Sequence, residues 1–167
     1  MIAMFMLNLF LALVYALLTE DSSMSNLLVG FAIGYVVTSL TAVTMGKSNY
    51  AVKVLRLLRF VAYFIYILVK ANWQVAKEVI TPGLHMKPRL IRYDVAGMSA
   101  AEITTLANAI TLTPGTLSAD IDDAGETLFI HCMYAADRQS AVDELDDLKL
   151  RILVDLFDHP LMRKETP

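Results

Sequence analysis

Three histidines, one cysteine and a run of acids are the side chains in this sequence best equipped for chemistry. His131 and Cys132 are adjacent on a segment that alternates like a strand, so their side chains point to opposite faces and cannot share a metal or form a nucleophile–base pair. A lone Cys132 allows no intrachain disulfide and reads as a small buried hydrophobe. His85 and His159 stand apart beside prolines and read as solvated. The acids of "DELDD", 143–147, fit the wet face of a helix, and no loop with EF-hand spacing is present to hold a cation. "TPGT", 113–116, lacks the glycines and the lysine of a phosphate loop. The chain is therefore read as non-enzymatic, with no catalytic residue, no metal site and no cofactor.

Charge divides the chain into three environments. Residues 1–46 carry only Glu20 and Asp21; residues 47–92 carry nine Lys/Arg against Glu78; residues 93–167 carry fourteen acids against five bases. This predicts a membrane hairpin over 1–46, a basic amphipathic third helix and linker over 47–88, a small acidic domain over 89–158 and a tail over 159–167. Ile2–Leu18 and Leu27–Met45 are uncharged and, at ~1.5 Å per residue, come close to the ~30 Å hydrocarbon core. The connector "TEDSSMSN" is short and turn-prone, so the two helices should run antiparallel. A cleaved signal peptide is the competing reading of the first segment, but it lacks a basic leading region and a clear cleavage site.

The second helix carries Gly30, Gly34, Thr38 and Ala42 at four-residue intervals, a small-residue stripe along which another helix can approach closely. A third apolar stretch, "FVAYFIYILV", has ten residues between Arg59 and Lys70. A helix from about Val52 to Ile80 could cross, tilt or lie along the interface, with Arg56, Arg59, Lys70 and Trp73 as interface anchors. Basic residues on both sides favour two spans with both flanks cytoplasmic, against a three-span alternative. Anionic lipid headgroups explain these cations better than nucleic acid does. Lys70 at a helix end reads as a snorkelling lysine, so the spans hold no acid, lysine or histidine able to relay ions.

Beyond Pro88 the pattern becomes that of a folded domain. Ile91, Tyr93 and Val95 alternate as a strand, and Ser99 with Glu102 forms a capping box before a helical face of Ile103, Leu106, Ala107 and Ile110. Leu117, Ala119 and Ile121, then Leu128, Ile130 and Cys132, alternate around the turn "DDAG" as a hairpin. Val142, Leu145, Leu148, Ile152 and Leu156 mark a last amphipathic helix on which Asp147 and Arg151 can pair. The order β-α-β-β-α is a ferredoxin-like α+β core without its final strand. Its open face invites a covering partner.

"LANAITLTPGTLSADI", followed by "LFIHCM" and preceded by "VGFAIGY" and "NWQVAKEVITPGLHMKP", resembles the E subunit of the Mrp-type multisubunit sodium/proton antiporters over roughly residues 5–157. The resemblance implies an accessory, multi-pass plasma-membrane subunit with a cytoplasmic C-terminal domain, whose partners are the other membrane subunits and whose complex carries its antiport chemistry elsewhere. The corner Thr111, Thr113, Pro114, Gly115 and Thr116 has two readings: helix-stop and turn chemistry, or a docking point for a neighbouring subunit. A membrane-tethered regulatory domain binding a small ligand or ion is the alternative function, resting on fold analogy.

Overall fold

The computed structural model describes residues 2–44, 50–83, 86–157 and 159. Met45, Lys47, His85 and the tail from 160 onward, all used in the sequence reading, lie outside those residues. The chain divides into two units, Met1–Arg56 and Leu57–Pro167. α1 (Ile2–Leu18), α2 (Met24–Thr44) and the first turns of α3 (Tyr50–Ile80) belong to the first unit; the rest of α3 belongs to the second.

In the first unit α1 stops where Glu20 adopts a left-handed φ of 53°. Asp21 then accepts from the Ser23 backbone N–H at 2.8 Å, and Asn26 Nδ2 donates to the Asp21 carbonyl at 2.6 Å, which sets the start of α2. Met24–Ala42 is long and apolar enough to cross a membrane, and Met4–Leu18 is a shorter apolar helix.

The second unit builds a three-stranded antiparallel sheet, ordered β1 (Arg89–Asp94), β3 (Thr127–Cys132), β2 (Thr116–Ile121). α4 (Ala100–Leu112) joins β1 to β2, and α5 (Arg138–Arg151) follows β3 and continues as a π-helical turn, Ile152–Phe157. Ile91, Tyr93, Leu128 and Ile130 from the sheet pack with Leu106 and Ile110 of α4 and Leu145, Leu148 and Ile152 of the last helix. Phe60, Tyr63, Phe64 and Ile67 of α3 close over this core. The core is therefore completed by the helix that leads out of the first unit's segment of sequence.

Two expectations are corrected here. Leu117, Ala119 and Ile121 do not form the buried face of β2: Leu117 is 49% exposed, while Thr116 and Ser118 turn inward. The cause is the end of α4, whose last carbonyls need donors. Thr116 Oγ1 donates to Ile110 O at 2.6 Å and Ser118 Oγ to Ala107 O at 3.1 Å, and a bulge between Ser118 and Asp120 accommodates the shift. His159, read as solvated, is mostly buried, with Nε2 3.9 Å from the Glu102 carboxylate.

The capping box forms as predicted. Ser99 accepts from the Glu102 N–H, and the Glu102 carboxylate accepts from the Ser99 N–H and hydroxyl, both at 2.7 Å. Burial pushes the Glu102 pKa up, but the Ser99 donors and the nearby His159 outweigh it and hold the carboxyl below its ordinary value. A depressed carboxyl contributes stability that is present above its unfolded pKa and lost as pH falls through the folded one. Resistance of the chain in detergent to unfolding by urea should thus weaken below about pH 4. Glu102→Gln should flatten that acid dependence, and Ser99→Ala should cost about 1 kcal/mol at neutral pH.

Candidate subunit interface

Three groups of side chains are candidates for contact with other proteins or lipid, and each has a definite place in the fold. The small-residue stripe of α2 lies against α1. A Cβ on Gly30 would meet the Ala12 carbonyl at 3.0 Å and the Tyr15 ring at 2.9 Å, and one on Gly34 would run into the Asn8 side chain. Thr38 and Ala42 are fully buried, and Thr38 Oγ1 donates back to Gly34 O at 2.7 Å. α1 answers with a stripe of its own, Asn8, Ala12 and Ala16, all buried at four-residue intervals. The sequence carries that second stripe too, but alanines in an apolar helix give little signal. The stripe's partner is thus within the chain, and the exposed sides of both helices are Leu-, Val- and Phe-rich.

The Thr-Pro-Gly corner is turned inward. Thr113 Oγ1 donates to Ala109 O at 3.0 Å, Thr116 Oγ1 donates to both Ile110 O and Thr113 O, and Thr111 Oγ1 accepts from the Ser118 N–H at 3.2 Å. Pro114 cannot continue α4, and Gly115 takes a φ of +91° with its carbonyl accepting from Met133 N at 2.7 Å. The corner's outer surface forms one wall of a cleft of about 360 Å³, whose other walls are Tyr63, Tyr66 and Lys70 of α3 and Asp143, Glu144 and Asp147 of α5, with Cys132 at its floor. Burial pushes the Cys132 thiol up, so it stays protonated.

Of the four proposed membrane anchors, two face the domain. Arg59 forms a charged pair with Asp155, through Nε at 3.4 Å and through a second, shorter contact from Nη2. Lys70 Nζ donates to Glu144 at 2.7 Å, and between them Tyr63 Oη donates to Asp147 at 2.6 Å. Arg151 completes this seam, 3.6 Å from Asp147 and stacked over the Tyr63 ring. Lys70 therefore does not snorkel. Trp73 is 63% exposed beneath Lys77, and Arg56 sits at the junction of the two units. The acids of "DELDD" are exposed as predicted, but Glu144, Asp146 and Asp147 each accept a hydrogen bond from outside their helix. The signal was available: Arg59, Tyr63 and Lys70 run along α3 in the opposite order to Asp155, Asp147 and Glu144.

Comparison with known proteins bears on this arrangement. Residues 8–153 match the Na+/H+ ion antiporter subunit family MNHE. The chain belongs to this family. The family's E subunit from Bacillus subtilis is 31% identical over 140 residues, covering 84% of this chain and 89% of that protein. Subunit E1 from Staphylococcus epidermidis is 28% identical over 141 residues, with the same coverage. Among solved structures, a chain of the Mrp complex from Dietzia sp. DQ12-45-1b superposes with a TM-score of 0.48 at 26% identity, covering 61% of this chain and 96% of that one. A chain of the membrane-bound sulfane sulfur reductase, an archaeal respiratory membrane complex, superposes with a TM-score of 0.50 at 23% identity, covering 89% and 98%. The MNHE subunit described here is thus a component of a sodium/proton antiporter, with a helical N-terminal part and a small antiparallel sheet.

The two classes of contact should differ in strength. Asp155 has a fully buried side chain, so Arg59→Ala leaves an uncompensated carboxylate; because Arg59 itself is half-exposed, the cost should be about 1–3 kcal/mol. Lys70→Ala removes an exposed pair and should cost below about 1 kcal/mol. Gly30→Leu should separate α1 from α2 and cost about 1–3 kcal/mol. Thermal unfolding of the three detergent-purified variants would order them.

Proposed function

We propose that this antiporter subunit is a non-catalytic accessory component, needed for assembly or stability of the complex and not for ion transfer itself. The observation that carries this reading is the chemistry of its apolar helices. Within residues 2–44 the only ionisable acids or bases are Glu20 and Asp21, both in the connector. A path for sodium ions or protons needs acids, lysines or histidines inside the bundle, and this pair of helices offers none. The cations of α3 do not supply one either, since Arg59 and Lys70 are paired to acids of the folded domain.

In this reading α1 and α2 form a transmembrane hairpin in the plasma membrane. The basic excess around α3 supports a cytoplasmic position for the domain, and the order β1-α4-β2-β3-α5 supports reading it as a ferredoxin-like core without the fourth strand beside β1. Its partners are the other membrane subunits, as the names of its relatives from multisubunit antiporters suggest. The corner 111–116 contributes through its outer surface, where it walls the cleft, because its hydroxyls are committed to capping α4. A second reading, a regulatory domain for a small ligand, is favoured by that same cleft of about 360 Å³, the size of a modest binding site.

The test is co-purification with the products of neighbouring genes in mild detergent, followed by native mass measurement. The accessory reading expects one large assembly containing antiporter-like proteins, and recovery of the chain alone would remove it. Asp143→Lys, an exposed change on the rim of the cleft, should cut recovery of the assembly several-fold while leaving the melting temperature of the chain unchanged. Undiminished recovery of that variant would take the corner cleft out of the interface.

A further inference from the structure

α3 has a second apolar face that its domain does not use. The domain covers Phe60, Tyr63, Phe64 and Ile67. On the opposite side of the helix stand Leu58, Val61, Ile65, Val69 and Trp73, between 43% and 63% exposed. At roughly 100° per residue these five fall in a single stripe, and none of the five basic residues or the one acid of α3 enters it. So long an apolar stripe on a helix whose other face is already buried is an interaction surface.

We propose that this stripe lies in the boundary between headgroups and acyl chains of an anionic leaflet, holding the domain flat against the membrane. The proposal rests on the membrane-anchored reading of α1 and α2 above. Three observations select lipid as the occupant. The uncharged stretch Phe60–Val69 makes a rod of only ~15 Å, half the ~30 Å hydrocarbon core, and its inner face is bonded to a polar domain, so it cannot cross. Only five residues separate Thr44 at the end of α2 from Tyr50 at the start of α3, a link that reaches at most ~22 Å, and Tyr35 Oη of α2 donates to the Ala51 carbonyl at 3.1 Å, so the start of α3 is held close to α2. With Arg59 and Lys70 paired to the domain, α3 still carries Lys53, Arg56 and Lys77 against Glu78, a basic excess complementary to anionic headgroups, and Lys77 sits 5.7 Å over the Trp73 ring at the stripe's end, a pairing suited to the interface. A helix with one charged flank and one apolar face is the ordinary form of a surface-lying segment.

Trp73 is the only tryptophan of the chain, so the protein carries its own depth gauge. The full chain is reconstituted into vesicles of phosphatidylcholine and phosphatidylglycerol, with lipids brominated either near the headgroup end or near the methyl end of the acyl chain. The same measurement is made on Ile65→Trp in a Trp73→Phe background, which reports from the middle of the stripe. Both tryptophans should be quenched roughly twofold or more strongly by the shallow bromines than by the deep ones, and hardly at all by acrylamide in the water. Vesicles without phosphatidylglycerol should weaken the shallow quenching, and equal quenching in both would overturn the anionic part of the proposal. Stronger deep quenching at position 65 would mean that α3 spans. Acrylamide access without lipid quenching would mean that the face is reserved for a protein, and either result sinks the proposal. Carbonate extraction separates this failure from that of the anchor: a chain that stays in the vesicles keeps α1 and α2 as spans, and one that is extracted loses both readings.

Discussion

The Arg59–Asp155 pair is the constraint around which the second unit is arranged. A carboxylate with a fully buried side chain is costly without a partner cation, and the one that reaches it comes from a helix almost a hundred residues earlier in the sequence. Once that contact is made, α3 and the last helix can meet in only one register. Tyr63 then falls opposite Asp147 and Lys70 opposite Glu144, while Phe60, Phe64 and Ile67 close the core between them. The π-helical turn at Ile152–Phe157 is where the last helix buries Ile152, Leu153 and Asp155 together. The exposed pairs of the seam add little energy by themselves; their service is to fix alignment.

The elements were legible where local rules and tertiary demand agree. Three long helices, the capping box at Ser99, the helix stop at Pro114 and the buried face of β3 all follow from periodicity and cap chemistry within short windows. β2 shows what defeats that procedure. Its alternation points Leu117 and Ile121 inward, but the carbonyls at the end of α4 need hydroxyl donors, and that demand, which no hydropathy pattern records, decides which face is buried. The roles of Arg59 and Lys70 were hidden for a related reason. A lysine or arginine at the end of an apolar helix looks the same in sequence whether it reaches for a headgroup or for an acid on its own domain.

The helix pair of the first unit shows a different economy. Glycines on α2 face an asparagine, an alanine and a tyrosine on α1, so close approach is obtained with small residues on both sides and without an ion pair. Packing of this kind suits lipid, where hydrophobicity cannot draw helices together. The second unit uses the opposite means, with a conventional apolar core and a polar seam. One chain thus solves two solvent problems with two vocabularies, and α3 is the helix common to both units.

The lone thiol at the floor of the cleft has a consequence of its own. Cys132 sits in the central strand, buried, with its proton held by the apolar surroundings. With only 4% of the residue exposed at the base of the cleft, an alkylating reagent reaches it as the side chains above it move aside, so the rate of labelling counts those openings. Before the subunit joins its complex and after, that rate reports how much rigidity the domain draws from its neighbours. Assembly can be followed as a change in the core's breathing, read from the chain's own thiol.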